Sequence, residues 1–406
     1  MRVHLTFLLE KVKSSFWLLP SAITFLLVGA LVVLKDLRFT PGSNVFADLL
    51  FNNISLEDSR TILGSISTSV MTVVGVLFSI MIVVLQQAST QYNPRIVQNF
   101  TRSTIAQVVL GLYLGTFTYS LLLLSTLNDK RVPRLAMTFA IFLALSCLFL
   151  LIYYVYHVMK NLQSTQIIAS ITDEGIHTLK NLVVDNDEKK GSSPSTEEFP
   201  FSIDIRSSRR GYIQAVKWDK LRKNMKNIEW YAKYYVTPGF YVQEGECLVT
   251  LYGKVPWDKK YEDSILKTIS IGEIRTNAQD PSFSIQKLVD IGLKATSPSI
   301  NDPSTAIEAL RGIDALLRQR FQKEINCLMG IDHGWVEMPY KSIETYIGQS
   351  YDQLIQFSSS HLPVLMIMEK QLEKLLERTT EEDIQNALLE RIKKVRKHMD
   401  LTSKAT

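Results

Sequence analysis

Four long apolar runs dominate the start of the chain, at residues 16–34, 62–85, 105–127 and 135–156, and none contains Lys, Arg, Asp or Glu. Each reaches the roughly 20 residues a helix needs to cross the hydrocarbon layer. The pattern predicts an α-helical membrane domain of four transmembrane helices over residues 1–160. The first run lacks the small-residue cleavage site of a signal peptide and three more follow it, so it is expected to stay as a span. Tyr153, Tyr154 and Tyr156 with His157 end the fourth run with the amphipathic rings that settle at headgroup level.

Beyond that point the spacing changes. Leu162, Ile168, Ile171, Ile176 and Leu179 keep a helical period, which predicts that the fourth helix continues into solvent. The charged, Ser- and Pro-containing stretch 185–200 has linker composition, so residues 161–200 form a helical extension and linker. Residues 201–255 read as a small β-rich module, with alternating runs at 203–206, 212–216, 230–236 and 248–252 and one short helix at 218–227. The segments around Gly211-Tyr212 and Pro238-Gly239 are similar to a barrel-sandwich hybrid without the turn lysine that would carry lipoate or biotin, which implies a β-barrel-like structural module. From 256 to 406 the period is mainly helical, through Ile285, Leu288 and Val289, Leu310, Ile313 and Leu317, Leu365, Met368 and Leu372, and Ile384, Leu388 and Ile392. The fold class expected is thus the four-helix membrane domain plus a cytosolic α+β domain with that β module and C-terminal helices.

Charge divides along the same line. Residues 1–156 hold 11 Lys or Arg against 6 Asp or Glu, so the net charge of +5 belongs to the membrane half and residues 157–406 balance at 34 of each sign. A balanced soluble half lacks the basic stripe that nucleic acid requires, so no nucleic-acid partner is expected. An even number of spans puts both termini on one side. The Lys and Arg count ties between the sides, and the termini are assigned to the cytoplasm because large charged domains with unpaired cysteines are commoner there. Cys147, Cys247 and Cys327 are far apart without a CxxC and read as buried thiols. With no HExxH, GxSxG, P-loop or GxGxxG after a strand, neither enzyme chemistry, catalytic residues, metal nor cofactor is expected.

Candidate functional residues lie in both halves. In the second run Ser65, Thr68, Thr72, Gly75, Ser79 and Gln86 follow steps of three and four, interrupted only by Ile82, and so make one small polar stripe on a helix. Close helix packing explains such a stripe, and so does a pore lined by several copies; no ionisable residue sits mid-membrane, as a pump or proton-coupled carrier would need. Gly111 and Gly115 form a GxxxG in the third run, a helix-packing signature, beside Thr104, Gln107 and Thr118. Arg95, which ends the polar loop that starts at Gln86, and Arg102 are candidates for lipid phosphate. In the soluble half Asp302 is a good N-cap before Pro303, and Arg275, Asp280, Asn301 and Asp302 are candidates for a small ligand or a subunit interface.

Several short motifs together carry a family resemblance. They are Gln87-Ala88-Ser89 with Asn93-Pro94-Arg95, Leu110-Gly111 with Gly115-Thr116-Phe117, Gly211-Tyr212, Pro238-Gly239, Arg275-Thr276 with Gln279-Asp280, and Ser297-Pro298 with Ile300-Asn301-Asp302-Pro303 and Thr305-Ala306. Over nearly its whole length the chain resembles an uncharacterised group of bacterial predicted membrane proteins, a domain of unknown function. The resemblance implies a multi-pass protein of the bacterial inner membrane and carries no activity or ligand. Where that family has Ser-Pro-Arg after the second span, this chain has Asn93-Pro94-Arg95, and its usual Leu before Ser-Pro is Thr296. The functional expectation is a homo-oligomeric channel or transport-type protein, in contact with membrane lipids, whose cytosolic domain assembles or gates it. The rival is a membrane-anchored sensor or scaffold that binds a ligand through the soluble half.

Overall fold

The computed structural model describes residues 17–36, 55–91, 104–127, 133–161, 163–182, 194–225, 229–322, 327–331 and 334–405. Two compact units divide the chain, Met1–Gln163 and Ser164–Thr406.

The first unit is helical: α1 (Leu18–Asp36), α2 (Leu56–Gln91), α3 (Thr104–Thr126) and α4 (Arg134–Asn161). Three stretches, Leu56–Gln87, Thr104–Thr126 and Arg134–Lys160, are long and apolar enough to cross a membrane, and Leu18–Leu34 is a shorter apolar helix. α3 is the hub, because it buries residues against each of the other three. Leu27 and Leu31 of α1, Leu63 of α2, Tyr119 and Leu123 of α3 and Met137 and Ala140 of α4 make one cluster. Val70, Val74 and Leu77, Val109 and Tyr113, and Cys147 and Tyr154 make the next. Two α3 phenols tie the packing to α4, Tyr113 donating to the Cys147 carbonyl at 2.6 Å and Tyr119 to that of Ala136 at 3.0 Å. Each proton is satisfied where water is absent. Phe25, Leu26, Val83, Phe142, Leu148, Phe149 and Ile152 are exposed on the outside of this unit, an apolar surface far beyond what a water-soluble protein shows.

α2 runs on through Gln91, so residues 86–91 of the polar segment are helix where the sequence suggested a loop, and the remainder of that segment lies outside the described residues. Gln, Ala, Ser and Thr contain no breaker, and Pro94 constrains only its immediate neighbour. α4 ends at Asn161 and a separate helix, α5 (Ser164–Asn181), begins at Ser164. α5 is helical as the spacing predicts and belongs to the second unit, into which Ile167, Ile168, Ile171 and Leu179 are buried.

In the second unit the strands are β1 (Phe201–Arg206), β2 (Gly211–Val216), β3 (Trp230–Tyr234), β4 (Tyr241–Val242), β5 (Cys247–Gly253), β6 (Ile269–Gly272), β7 (Leu328–Ile331) and β8 (Gly334–Glu337). They build a five-stranded sheet ordered β1-β5-β3-β8-β7 and a three-stranded sheet ordered β4-β2-β6. Neither closes into a barrel among the described residues, so the soluble part is an α+β region and the barrel-like expectation for 201–255 is not borne out. The reason is membership: β6 pairs with β2, and β8 lies parallel to β3, so strands from beyond residue 255 complete both sheets. Short helices α6 (Trp218–Asn224) and α7 (Lys259–Leu266) accompany the sheets. Trp230, Ala232, Leu248, Val249, Leu251 and Val336 form the core between them.

The helical layer comprises α5 with α8 (Pro281–Ala295), α9 (Pro303–Phe321), α10 (Ile343–Phe357), α11 (Leu362–Leu376) and α12 (Glu382–Ala405). α5 docks closely because two glycines allow it. A Cβ on Gly175 would lie 2.7 Å from Leu316 Cδ2 and 2.8 Å from Ser284 Cβ, and one on Gly312 would lie 2.6 Å from Thr172 Oγ1.

Candidate functional site

The two polar stripes of the membrane unit have opposite surroundings. On α3, Gln107, Gly111 and Gly115 are buried. The two glycines face α1, where a Cβ on Gly111 would lie 2.9 Å from the Pro20 Cα and one on Gly115 would lie 2.5 Å from Leu27 Cδ1. At Gly111 the contact is with backbone, which only a residue without a side chain permits, whereas Gly115 meets the end of the Leu27 side chain. On α2, by contrast, Ser65, Thr68, Thr72, Gly75, Ser79 and Gln86 are all exposed, while Leu63, Ser67, Val70, Val74 and Leu77 on the other side of the helix are buried. A Cβ added to Gly75 would meet nothing within 4 Å.

Three hydroxyls of this stripe turn back onto their own helix. Thr68 donates to the Gly64 carbonyl at 3.0 Å, Thr72 to that of Thr68 at 2.8 Å and Ser79 to that of Gly75 at 3.0 Å. The proton is thereby used and the oxygen lone pairs stay outward, so the stripe offers acceptors without formal charge. Met71 and Ile82 flank it on one side and Val76 and Val83 on the other, all exposed. Arg95 and Arg102 lie outside the described residues.

In the soluble unit the four candidates separate into two pairs. Arg275 and Asp280 sit before α8, and Asn301 and Asp302 follow its far end; 15 helical residues span about 22 Å. Asp302 caps α9, accepting from the Thr305 N–H at 3.1 Å and from its hydroxyl at 2.6 Å. Asn301 adopts φ 49°, a left-handed turn that Asn tolerates, and its Oδ1 lies 3.0 Å from His361 Nε2. Changing Asp302 to alanine should therefore cost about 1 kcal/mol of stability, the usual value of an N-cap, with the loss read in a urea titration; an unchanged midpoint would show that the cap carries nothing.

The other pair is the more heavily built. Asp280, 3% exposed, accepts on Oδ2 from Arg275 Nε at 2.7 Å and Nη2 at 2.6 Å, and on Oδ1 from the Ser282 hydroxyl at 2.6 Å. Arg275 lies over the Phe283 ring, 5.0 Å from its centre. Gly239 holds φ 95° against this carboxylate, where a Cβ would come within 2.1 Å of Oδ2, so the Pro238-Gly239 pair is fixed by the approach of backbone to Asp280. Gln279 acts as a strand substitute: its Oε1 accepts from the Val216 N–H at 2.8 Å and its Nε2 donates to the Val216 carbonyl at 3.0 Å. These motif residues join the three-stranded sheet to the helical layer.

Sequence reasoning missed Ser282 and Lys341. Lys341 Nζ reaches Ser282 Oγ at 2.6 Å, and Arg275 Nη2 reaches the same oxygen at 2.9 Å. Burial pulls the Lys341 ammonium below its ordinary range, with Asp280 opposing that shift and Arg275 adding to it. Next to it, burial pushes the Tyr340 phenol up to about 12, so it stays a neutral donor. A small cleft adjoins these segments, with Thr178, Trp218, Pro238, Gln279 and Tyr340 in its wall, and its space of about 20 Å³ admits little more than one water. No local signal marks Lys341, a lone cation between Tyr340 and Ser342. Of the cysteines expected to be buried, only Cys147 is; Cys247 is half-buried and Cys327 exposed. Among the described residues no group of three His, Cys, Asp or Glu side chains is placed to hold a metal.

The profile of the family described as "Predicted membrane protein (DUF2254)" matches residues 13–374. The chain belongs to that family. It is 26% identical over 374 residues to the uncharacterized protein Rv1290c of Mycobacterium tuberculosis, an alignment covering 88% of this chain and 71% of that one. The uncharacterized protein Mb1321c of Mycobacterium bovis is similar to the same extent. No solved structure matches. The family description agrees with the helices of the first unit, so the chain is a predicted membrane protein with several apolar helices.

Proposed function

We propose that this family member is a non-enzymatic, homo-oligomeric pore-forming protein of the bacterial inner membrane, in which copies of α2 surround a water-filled path. In this reading all four helices of the first unit span the bilayer. α1, with 19 residues, is about 28 Å long, close to the thickness of the hydrocarbon layer. Both termini lie in the cytoplasm, and the soluble unit assembles or gates the pore. α5 suits that task, since only two residues separate it from α4 and Gly175 and Gly312 hold it tightly in the soluble core.

The observation that carries the reading is the exposure of the α2 stripe. A row of oxygens and a glycine facing lipid gains nothing, whereas the same row facing water or a second copy is satisfied. Uncharged acceptors in series suit weakly selective conduction, because they replace part of an ion's hydration without trapping it.

Purified protein in planar bilayers is expected to conduct, and Thr72→Leu or Ser79→Leu to reduce single-channel conductance severalfold by narrowing the path and removing acceptors. Silent bilayers together with a monomeric particle would end the proposal.

A further inference from the structure

Around Ser282 the charges do not balance. Its hydroxyl oxygen accepts from Arg275 Nη2 and from Lys341 Nζ and gives its proton to Asp280. Asp280 is the carboxylate in contact with Arg275, and Lys341 reaches it only through that hydroxyl. Two cations therefore share one anion in a half-buried place, where a surplus charge costs far more than in water.

Donors are left over as well. An ammonium has three N–H bonds, and the Lys341 amine has one hydrogen-bond partner among the described residues, Ser282 Oγ. Arg275 uses Nε and Nη2, and its Nη1 has no partner among the described residues. Nη2 spends both of its N–H bonds, on Asp280 Oδ2 and Ser282 Oγ, so the donors left for a ligand are those of Nη1 on the same guanidinium and of Nζ, which meets that guanidinium at Ser282 Oγ. Cationic donors on two side chains that meet at one hydroxyl suit the oxygens of one carboxylate or phosphate. Arg275 is also held in place by Asp280 and by the Phe283 ring, so the donors are ordered before any ligand arrives.

We infer that Arg275 and Lys341 form a binding site for a small oxyanion, a carboxylate or phosphate group, in the soluble unit. The anion restores charge balance by taking the unused N–H bonds of both side chains, while Asp280 keeps its structural contact with Arg275. The neighbouring cleft, with Tyr340 directly before Lys341 and Gln279 directly before Asp280 in its wall, has room for about one water beside a small bound anion. This site stands independently of the pore, because its residues all lie in the second unit.

The test uses the full chain in detergent, with thermal unfolding followed as inorganic phosphate or acetate replaces chloride at constant ionic strength. One of the two is expected to raise Tm saturably, by about 3–6 °C at ten times its dissociation constant; which one does so identifies the group. Lys341→Met should abolish the rise, Lys341→Arg should keep it, and Lys341→Gln repeats the neutral comparison with a polar side chain. In chloride alone Lys341→Met should unfold no lower than the parent, since it removes a surplus buried charge, and this separates a lost site from a damaged fold. No saturable rise with either anion, or a rise that Lys341→Met and Lys341→Gln leave intact, overturns the inference.

Discussion

Replacing Asp280 with alanine should lower the stability of the soluble unit by about 3–5 kcal/mol, the usual cost of breaking a buried ion pair from one side. The carboxylate is 3% exposed and the Arg275 side chain 18%, so water cannot replace what is lost. Arg275 and Lys341 would be left together with only the Ser282 hydroxyl between them, and like-charge repulsion would add to the desolvation already suffered by both. Asp280→Asn, which keeps the shape, should cost less than alanine. The double change Arg275→Met with Asp280→Leu should recover only part of the loss, because it removes the pair together but leaves Lys341 without its anion. Urea unfolding followed by tryptophan fluorescence reads all three, since Trp218, Trp230, Trp257 and Trp335 lie in this unit. A loss below about 1 kcal/mol for alanine would mean that the pair is a bystander, like most exposed ion pairs.

Gly111→Leu should uncouple α1 from α3. The atom nearest to an added Cβ is backbone, the Pro20 Cα at 2.9 Å, with Ile23 Cβ at 3.1 Å, so the helices themselves must separate. Overpacking of a close core site costs about 1–3 kcal/mol, and here the forced separation also opens Leu27 and Leu31, which are buried in the first cluster. Gly115→Ala should be milder, because its nearest neighbour is the movable end of Leu27 and the Pro20–Thr24 backbone stands further off, the Thr24 Cα at 3.4 Å. Recovery of folded, monodisperse protein from detergent should fall markedly for Gly111→Leu and only slightly for Gly115→Ala. Equal recovery of both would contradict the packing described for α1.

Much of this architecture is written locally in the chain. The apolar runs mark α1 to α4, the three-and-four spacing marks α8, α9, α11 and α12, and the Asp302-Pro303 pair marks the start of α9. What escaped depends on residues far apart in sequence. β4, β6, β7 and β8 have two to four residues each, too few for an alternating pattern to stand out. The parallel pairing of β3 with β8 joins Trp230 to Gly334, and nothing near either residue announces it. The same holds for the two stripes. Ser, Thr and Gly recur on α2 and α3 alike, yet only α3 has α1 lying on its small residues. Composition shows that a face avoids bulk, while the neighbour decides whether that face is buried. At Arg275 the sequence supplied the polar residues but not Lys341, whose approach to Ser282 spans 59 positions.

Whether water reaches the outward face of α2 is decided by single cysteines placed along it in a chain whose Cys147, Cys247 and Cys327 have been replaced by alanine. Each is reacted, in membranes, with a small charged thiol reagent that does not enter hydrocarbon. Ser65→Cys, Thr68→Cys, Thr72→Cys and Ser79→Cys should react at least tenfold faster than Phe149→Cys on the apolar outside of α4 and than Val74→Cys on the buried side of α2. Stripe positions that react no faster than Phe149→Cys would place that face against lipid or a dry helix contact, and the pore would be contradicted.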